Sequence, residues 1–194
     1  MRQKRNRRSA FRRTPGSVVA GFLIASLSLC TAAQGVEWET IYGSDDEDEQ
    51  PRLAVTDSGD VYSVARVSGE IDGMSPPIPG DFGMALVKID QNGEIQWTRL
   101  LDSERSIRHP GVAVSSAERV YLSGTTFGEL NGQAHEGSSV EGNAFLVKYA
   151  DDGSRLWTHL LVSFDSLPNR DYRNTSGEAV ATDADGNIYI AGQA

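Results

Sequence analysis

Short apolar runs alternate with polar turns along almost the whole chain after residue 36. Two of these runs, Phe145–Tyr149 and Ile188–Gly192, are mostly apolar at consecutive positions and not only at alternate ones. Such runs are typical of strands that are covered on both faces. No window after residue 36 shows the period of about 3.6 residues expected of an amphipathic helix. The pattern therefore predicts an all-β fold.

Polar turns with a glycine near their end join these runs into hairpins. In the first repeat, Leu53–Thr56 is joined to Val61–Ala65, and Ala85–Ile89 is joined to Glu94–Leu101. A glycine at this place supplies the positive φ that a short hairpin loop requires. Glu118 replaces the glycine in the middle copy, so we expect that turn to be strained or shaped differently. The turn glycines are Gly59, Gly93, Gly153 and Gly186.

The same residues return with a period near 60. Trp38, Trp97 and Trp157 lie 59 and 60 residues apart, and Lys88 and Lys148 each precede a tryptophan by nine residues. The loop GEIDG recurs as GELNG 59 residues later. Three separate sets of positions share this period, namely the tryptophans with their lysines, the loop, and segments that end in tyrosine. Their agreement indicates a repeat architecture. The tyrosines that end the aligned segments LAVTDSGDVY, VAVSSAERVY and VATDADGNIY are Tyr62, Tyr121 and Tyr189.

Two hairpins per repeat give a unit of roughly 60 residues with four antiparallel strands. Repeated four-stranded sheets that are buried on both faces are typical of a β-propeller. We expect repeat units at roughly 37–96, 97–156 and 157–194, which make about three blades of an incomplete propeller. A β-sandwich is the alternative, but it gives no reason for loops to recur at the same period.

Eleven strands are expected after residue 36, and the one that contains Trp38 has no predicted partner. We therefore expect the 194 residues to be the N-terminal part of a longer protein. In the whole protein, the Trp38 strand would complete the last blade and close the ring.

The segment NAFLVKYADDGSRLWTHLL, with GEAVATDADGNIYIAGQA after it, resembles the bacterial seven-bladed β-propeller repeat (SBBP) family. GELNGQAHEGSSVEGNAFLVKY is similar to that family's lead into the same strand, and GSDDEDE follows Trp38 where the family often has glycine, serine and paired aspartates. The resemblance covers most of 37–194. The sequence departs from the family at Glu118, at the proline-rich Gly73–Asp81 and at the Val162–Ser176 insertion. The resemblance implies an exported or surface-associated bacterial protein and carries over no catalytic residues.

Propellers of the pyrroloquinoline-quinone type are the runner-up. They combine Asp, Gly and Trp, with the Gly and Trp four residues apart, and the Gly93–Trp97 and Gly153–Trp157 pairs keep that spacing. The Asp-to-Gly interval is one residue short, and the period here is longer than usual for that family. That resemblance implies either a quinoprotein enzyme or an envelope assembly scaffold.

The first 36 residues hold seven of the 18 basic residues and no acidic residue. A basic head, the apolar run Ser17–Leu29 and the small residues after it are typical of a secretory signal peptide, which we assign to residues 1–35. A retained N-terminal anchor is the alternative. Leu29 before Cys30 is a poor match to a lipoprotein signal, and the sequence leaves the lipidation of Cys30 open. We expect export to the periplasm, the cell surface or the medium, with no stable membrane span after cleavage.

Removal of the signal would leave 11 basic and 27 acidic residues, a net charge of −16. Such a surface repels nucleic acid, so we expect a protein or a carbohydrate as partner. The acidic run Asp45–Glu49 raises the possibility of calcium, but adjacent carboxylates in one loop seldom converge on a cation. Asp183–Asn187 superficially resembles a calcium loop, with its glycine two positions too early. We therefore predict no metal and no cofactor.

The sequence offers few candidates for catalysis. His109, His135 and His159 fall in different parts of the repeat and form no metal-binding spacing. We assign no catalytic, cofactor-binding or metal residues and expect a non-catalytic structural or binding module. The tryptophans, tyrosines and turn glycines named above are predicted to be structural, with Trp97 and Trp157 packed in the core.

Blade-specific residues occur in only two loops, Gly73–Asp81 and Phe164–Asn174. The second loop is a candidate ligand-contacting patch, although a tolerated insertion explains it as well. Its candidate residues are Arg170, Asp171, Tyr172 and Arg173.

Overall fold

A computed structural model describes residues 5–6, 22–27, 36–101, 103–135, 140–162 and 174–194. These residues form thirteen β-strands and no helix. The strands are β1 (Arg5–Asn6), β2 (Phe22–Leu27), β3 (Val36–Tyr42), β4 (Asp48–Val55), β5 (Val61–Val67), β6 (Gly83–Ile89), β7 (Ile95–Leu101), β8 (Ile107–Val114), β9 (Val120–Thr126), β10 (Asn143–Tyr149), β11 (Arg155–Leu161), β12 (Ser176–Thr182) and β13 (Ile188–Gln193).

The strands form four sheets. Sheet I has the order β1-β3-β2, sheet II is β4-β5-β6-β7, sheet III is β8-β9-β10-β11, and sheet IV is the pair β12-β13. Sheets II, III and IV are antiparallel throughout. The predicted all-β class is confirmed, and sheets II and III each have four antiparallel strands as expected. The described residues from Val36 onward hold the eleven strands counted from the sequence.

Sheets II and III lie face to face. One buried cluster combines Tyr62, Met84 and Leu86 of sheet II with Leu122 and Phe145 of sheet III. We call the face of each sheet that points toward the next sheet along the chain its forward face, and the opposite side its rear face. Strands β5, β6 and β9 are buried along their whole length, as expected for strands that are covered on both sides.

The rear face of sheet II packs against β3. Trp38 and Tyr42 of β3 form a second buried cluster with Val87 and Ile89 of sheet II, joined by Ile71 from the loop after β5. On the other side, β12 of sheet IV packs against β8 and β9 of sheet III. The first strands β4, β8 and β12 are therefore neighbours, and sheets II, III and IV follow one another in chain order.

The tight turns and the longer loops lie at opposite ends of the sheets. The β4–β5, β6–β7, β8–β9, β10–β11 and β12–β13 connections are tight turns at one end. The longer connections, which include 68–82 and the described residues 127–135 and 140–142, lie at the other end, where Ile107 N donates to Phe82 O at 2.8 Å. We call the end that carries the longer connections the loop end.

The prediction that the Trp38 strand lacks a partner is wrong for this structure. β3 pairs antiparallel with β2 and parallel with β1, both from the segment predicted to be the signal peptide. β3 offers two edges for hydrogen bonding, and an apolar run long enough to form a strand satisfies one of them. If the signal is cleaved, both partners leave with it. Signal cleavage remains a prediction.

Candidate functional site

Four side chains meet where sheets II and III touch near their outer strands. Tyr62 on β5, Lys88 on β6 and Trp97 on β7 lie side by side on the forward face of sheet II, and Asp151 reaches them from the β10–β11 turn of sheet III. We call these four residues the closed joint. The pairing of Tyr62 with Lys88 and of Lys88 with Trp97 fixes their order across the sheet.

Each side-chain donor of the closed joint has a partner. The Tyr62 hydroxyl donates to Asp151 Oδ1 at 2.5 Å, and Trp97 Nε1 donates to the Asp151 carbonyl at 3.0 Å. Lys88 Nζ forms an ion pair with Asp151 and lies 3.2 Å from Asp60 Oδ2. One aspartate therefore satisfies three buried or half-buried donors of the preceding sheet, which otherwise would lose hydrogen bonds to water.

These contacts shift the ionisation of the joint. Hydrogen bonds from Lys88 and Tyr62 lower the pKa of Asp151. Burial works against the charge of Lys88, but its hydrogen bonds to Asp151 and Asp60 outweigh this effect and raise the pKa of its ammonium group. Burial, followed by the hydrogen bond to Asp151, raises the pKa of Tyr62 far above its ordinary value. The joint is therefore locked in one protonation state near neutral pH.

A second copy of the same arrangement lies on the forward face of sheet III. The Tyr121 and Trp157 rings are 6.3 Å apart at 51°, against 5.9 Å and 52° for Tyr62 and Trp97. Lys148 Nζ lies 5.3 Å from the Tyr121 ring centroid. Among the described residues, no aspartate reaches this copy. We call Tyr121, Lys148 and Trp157 the open joint.

A related contact occurs where β3 meets sheet II. The Trp38 ring lies against Gly93, where an added Cβ would come within 2.8 Å of the indole. Thr40, two residues after Trp38, donates from Oγ1 to Gly93 O at 2.5 Å. In the closed joint, Arg99 is the residue two after the tryptophan, and its Nε donates to Gly153 O at 3.0 Å. In both the β3 contact and the closed joint, the glycine of the next sheet's turn therefore lies beside a strand that bears a tryptophan.

The predicted turn glycines all have positive φ, from 77° to 92°. Glu118 also has a positive φ, 54°, and its amide donates to Ser115 O at 2.9 Å, as Gly59 donates to Thr56 O at 3.0 Å. The turn therefore keeps the shape of its counterparts and carries strain instead, so the differently shaped alternative is wrong. Asp72 and Asn131, in the recurrent GEIDG and GELNG loops, share a positive φ of 49° and 54°.

The first strand of each of sheets II, III and IV contains a β-bulge at the same repeat position. The bulges fall between Glu49 and Arg52, between Arg108 and Gly111, and between Gly177 and Ala179. Bulges redirect side chains and are frequent next to functional sites. Gln50 and His109 have positive φ at this position, 52° and 56°, and each precedes a proline. Sequence analysis missed this feature, although Pro51 and Pro110 are 59 residues apart.

His109 is the one candidate histidine that joins two sheets. Its Nδ1 lies 3.2 Å from Thr125 Oγ1 and 3.5 Å from Glu178 Oε1 of sheet IV. The same Thr125 hydroxyl accepts a hydrogen bond from Gly177 N at 3.3 Å. The arrangement can hold an imidazole in a fixed orientation.

The other two histidines lie elsewhere. His135 Nε2 is 2.8 Å from Glu141 O within one loop, and the His159 ring packs on Trp157 with centroids 4.9 Å apart. Within the described parts of the chain, no group of three or more potential metal ligands converges.

Side chains of the acidic run Asp45–Glu49 form hydrogen bonds and an ion pair within the protein. Asp45 accepts a hydrogen bond from Glu70 N at 2.7 Å, and Asp48 accepts from Ser44 N and Oγ. Glu49 pairs with Arg66, which also donates to Ile107 O at 2.8 Å and so ties sheet II to sheet III. Burial raises the pKa of Asp48 and outweighs its hydrogen bonds.

The Asp183–Asn187 segment is the β12–β13 turn. Asp183 accepts hydrogen bonds from Asn187 N at 2.8 Å and from the Tyr189 hydroxyl at 2.9 Å. These bonds, led by those of Asn187, lower the pKa of Asp183. The carboxylate is used within the hairpin, and Tyr189 itself is 58% exposed.

A cleft of about 610 Å³ lies at the loop end. The proline-rich Gly73–Asp81 loop contributes Pro77 and Ile78, and the β7–β8 connection contributes Arg105. Ile78 is 42% exposed. The other lining residues are Ser103, Glu104, Glu129, Asn131 and Gly132. The cleft is therefore built partly from residues that do not repeat.

Several predicted features lie outside the described residues. They are Cys30 and most of the signal segment, the bulk of the Val162–Ser176 insertion, and its candidates Arg170, Asp171, Tyr172 and Arg173. Within the part of the chain that is described, no helix has the length and apolar character needed to cross a membrane.

No protein-family model matches the chain, and no curated protein matches it. The resemblance to the bacterial seven-bladed β-propeller repeat family therefore stays a prediction that depends on the sequence motifs.

Proposed function

We propose that this chain is an exported, non-catalytic β-propeller-type repeat protein that serves as a structural or binding scaffold. The observation that carries the proposal is the recurrence of one sheet-to-sheet contact. Trp38 and Thr40 contact Gly93 of sheet II. In the same way, Trp97 and Arg99 donate hydrogen bonds to the turn that ends at Gly153 of sheet III. Residues that recur in this way stabilise the stacking of blades.

Binding is better sought where the repeats differ. The loop end carries the proline-rich segment, the long connections and the cleft near Ile78 and Arg105. Binding surfaces are commonly built from variable loops that a rigid scaffold holds at one end. The acidic composition favours a protein or carbohydrate partner over nucleic acid.

Export and the family assignment are part of the same proposal. The basic head and the short apolar run support a signal peptide and a place in the bacterial envelope or outside the cell. The SBBP resemblance supports the same localisation. Calcium and quinone cofactors have no support from the contacts of the described residues.

Site-specific photo-crosslinking in the producing cell tests this function. A benzophenone side chain at Ile78 lies at the loop end, and the same group at exposed Asp57 lies at the opposite end. We expect covalent adducts from the Ile78 position in the envelope or secreted fraction, and none from Asp57. Adducts in neither case, or only with cytoplasmic proteins, contradict the proposal. Dye-linked alcohol oxidation that requires added pyrroloquinoline quinone would favour the enzyme alternative.

A further inference from the structure

The open joint lies on the forward face of sheet III, the face on which sheet IV packs through β12, and β13 is an edge strand of sheet IV. In sheet II, the equivalent tyrosine, lysine and tryptophan are covered by the β10–β11 hairpin of sheet III. Sheet IV consists of β12 and β13 among the described residues, so one edge of β13 has no neighbouring strand among them. Leu161 remains 37% exposed on this surface.

A groove of about 250 Å³ marks the gap between the two sheets. It lies between the ends of β10 and β11 on one side and β13 on the other, and it is largely apolar. Its lining includes Ala144, Leu161, Val162, Ile190 and Ala191. An unpaired strand edge beside an apolar groove favours an occupant that supplies both main-chain hydrogen bonds and apolar side chains.

The closed joint defines the chemistry of that occupant. Lys88, Tyr62 and Trp97 all bind one aspartate, which lies two residues before the positive-φ glycine of a β-turn. The open joint presents the same donors in nearly the same geometry, with Lys148 as its cation. His159 occupies the place of Arg99 and can donate to the carbonyl of the turn glycine.

We propose that the open joint and the edge of β13 form a docking surface for a β-hairpin of this same repeat type. The hairpin pairs with β13 as the third strand of sheet IV and places an aspartate against Lys148, Tyr121 and Trp157. This inference rests on the proposed stacking of repeats, and it adds the identity of the occupant. A free sugar or a small anion would leave the edge of β13 unpaired.

Binding of a fluorescein-labelled peptide to the full chain tests the proposal. The peptide has the sequence of Asn143–Leu161, and a second peptide carries Asp151→Asn. Fluorescence anisotropy should show saturable binding of the first peptide and roughly tenfold weaker binding of the second, because the amide loses the ion pair with Lys148. Lys148→Met in the protein should cause a similar loss.

Arg52→Met is the matched control, since Arg52 is an exposed cation at the edge of sheet II. It should leave the peptide affinity unchanged, and circular dichroism of each variant verifies the β-fold. Absence of binding, equal binding of both peptides, or equal losses in the Lys148 and Arg52 variants would overturn the proposal. The result of crosslinking at Ile78 does not depend on these outcomes. A failure of the proposed function can therefore be distinguished from a failure of the proposed docking surface.

Discussion

The closed joint and the open joint have almost the same tyrosine–lysine–tryptophan geometry but different surroundings. In the first, Asp151 accepts hydrogen bonds from all three side chains across the boundary between two sheets. In the second, the tryptophan packs on Tyr121 and His159 of its own sheet, and no aspartate is present among the described residues. The sheet therefore arranges the three donors by itself, before any partner binds.

This difference separates two contributions to the joint. Strand pairing and ring packing set the positions of the side chains, whereas the following turn neutralises the lysine and satisfies the donors. Identical changes at the tryptophans and lysines of the two joints measure the second contribution, because the joints differ only in what lies opposite. Changes at Asp151 and at two turns follow, and the predictions are ordered from the largest expected effect to the smallest.

Replacing the tryptophan should separate the two joints most clearly. Trp97→Ala removes a ring packed against the main buried cluster and a hydrogen bond to Asp151 O. We expect the free energy of unfolding to fall by about 3 kcal/mol. Trp157→Ala should cost about 1 kcal/mol, since its ring is packed only on its own sheet. Urea denaturation of the full chain measures both, and equal losses would contradict the distinction.

The lysines should show the same contrast at a smaller scale. Lys88→Met leaves Asp151 without its cation, and we expect a loss of about 1.5 kcal/mol, reduced because Asp151 is partly exposed. Lys148→Met should change stability by no more than about 0.5 kcal/mol. A thermal unfolding series of both variants checks this, and a larger cost at Lys148 would show that the open joint has an unidentified partner.

Acid should weaken the closed joint selectively. The pKa of Asp151 is lower in the folded chain than its ordinary value of 3.8, so its stabilisation is present above that value and is lost as the pH falls through the folded pKa. We expect Asp151→Asn to be about 1 kcal/mol less stable than the original chain near neutral pH. Below about pH 4 the difference should shrink toward zero. A difference that does not change with pH contradicts this ionisation state.

The smallest single effects are expected in the β4–β5 and β8–β9 turns, which lie at the same end of the sheets as Asp151. Glu118→Gly should raise the free energy of unfolding by about 0.5 kcal/mol, because relief of the positive φ exceeds the added freedom of the unfolded chain. Gly59→Ala should lower it by about 1 kcal/mol through φ alone. An added Cβ there meets only Gln91 Cβ at 3.5 Å, an ordinary contact. Stabilisation by the alanine would contradict this reasoning.

The sequence allowed the all-β class, the strand count and the turn glycines to be predicted, because each depends on a pattern within one repeat. The role of Asp151 was missed. Its contacts join residues 54, 63 and 89 positions apart, and the first copy of the repeat has Gln91 at the same place. A position whose chemistry changes between copies gives no repeating signal, even when it completes a contact made by residues that do repeat.

The partners of β3 were mispredicted for a related reason. The segment before Val36 was predicted to be a targeting signal, with a retained anchor as the alternative. An apolar run has the same hydrophobic pattern whether it is recognised for export or pairs with a strand edge. The bulges were not predicted, although the proline recurs in the sequence. The residue with positive φ before each proline differs between copies, being Gln50 in one and His109 in the next, so no residue type marks the position.

Those bulges have a consequence for the behaviour of the protein at high concentration. β4, β8 and β12 are edge strands, and an intact edge invites other chains to add to the sheet and start an aggregate. Pro51 and Pro110 each remove one amide donor from such an edge, and Glu178 brings a charge to the same position of β12. The irregularity of the first strands thus protects the molecule from intermolecular β-aggregation.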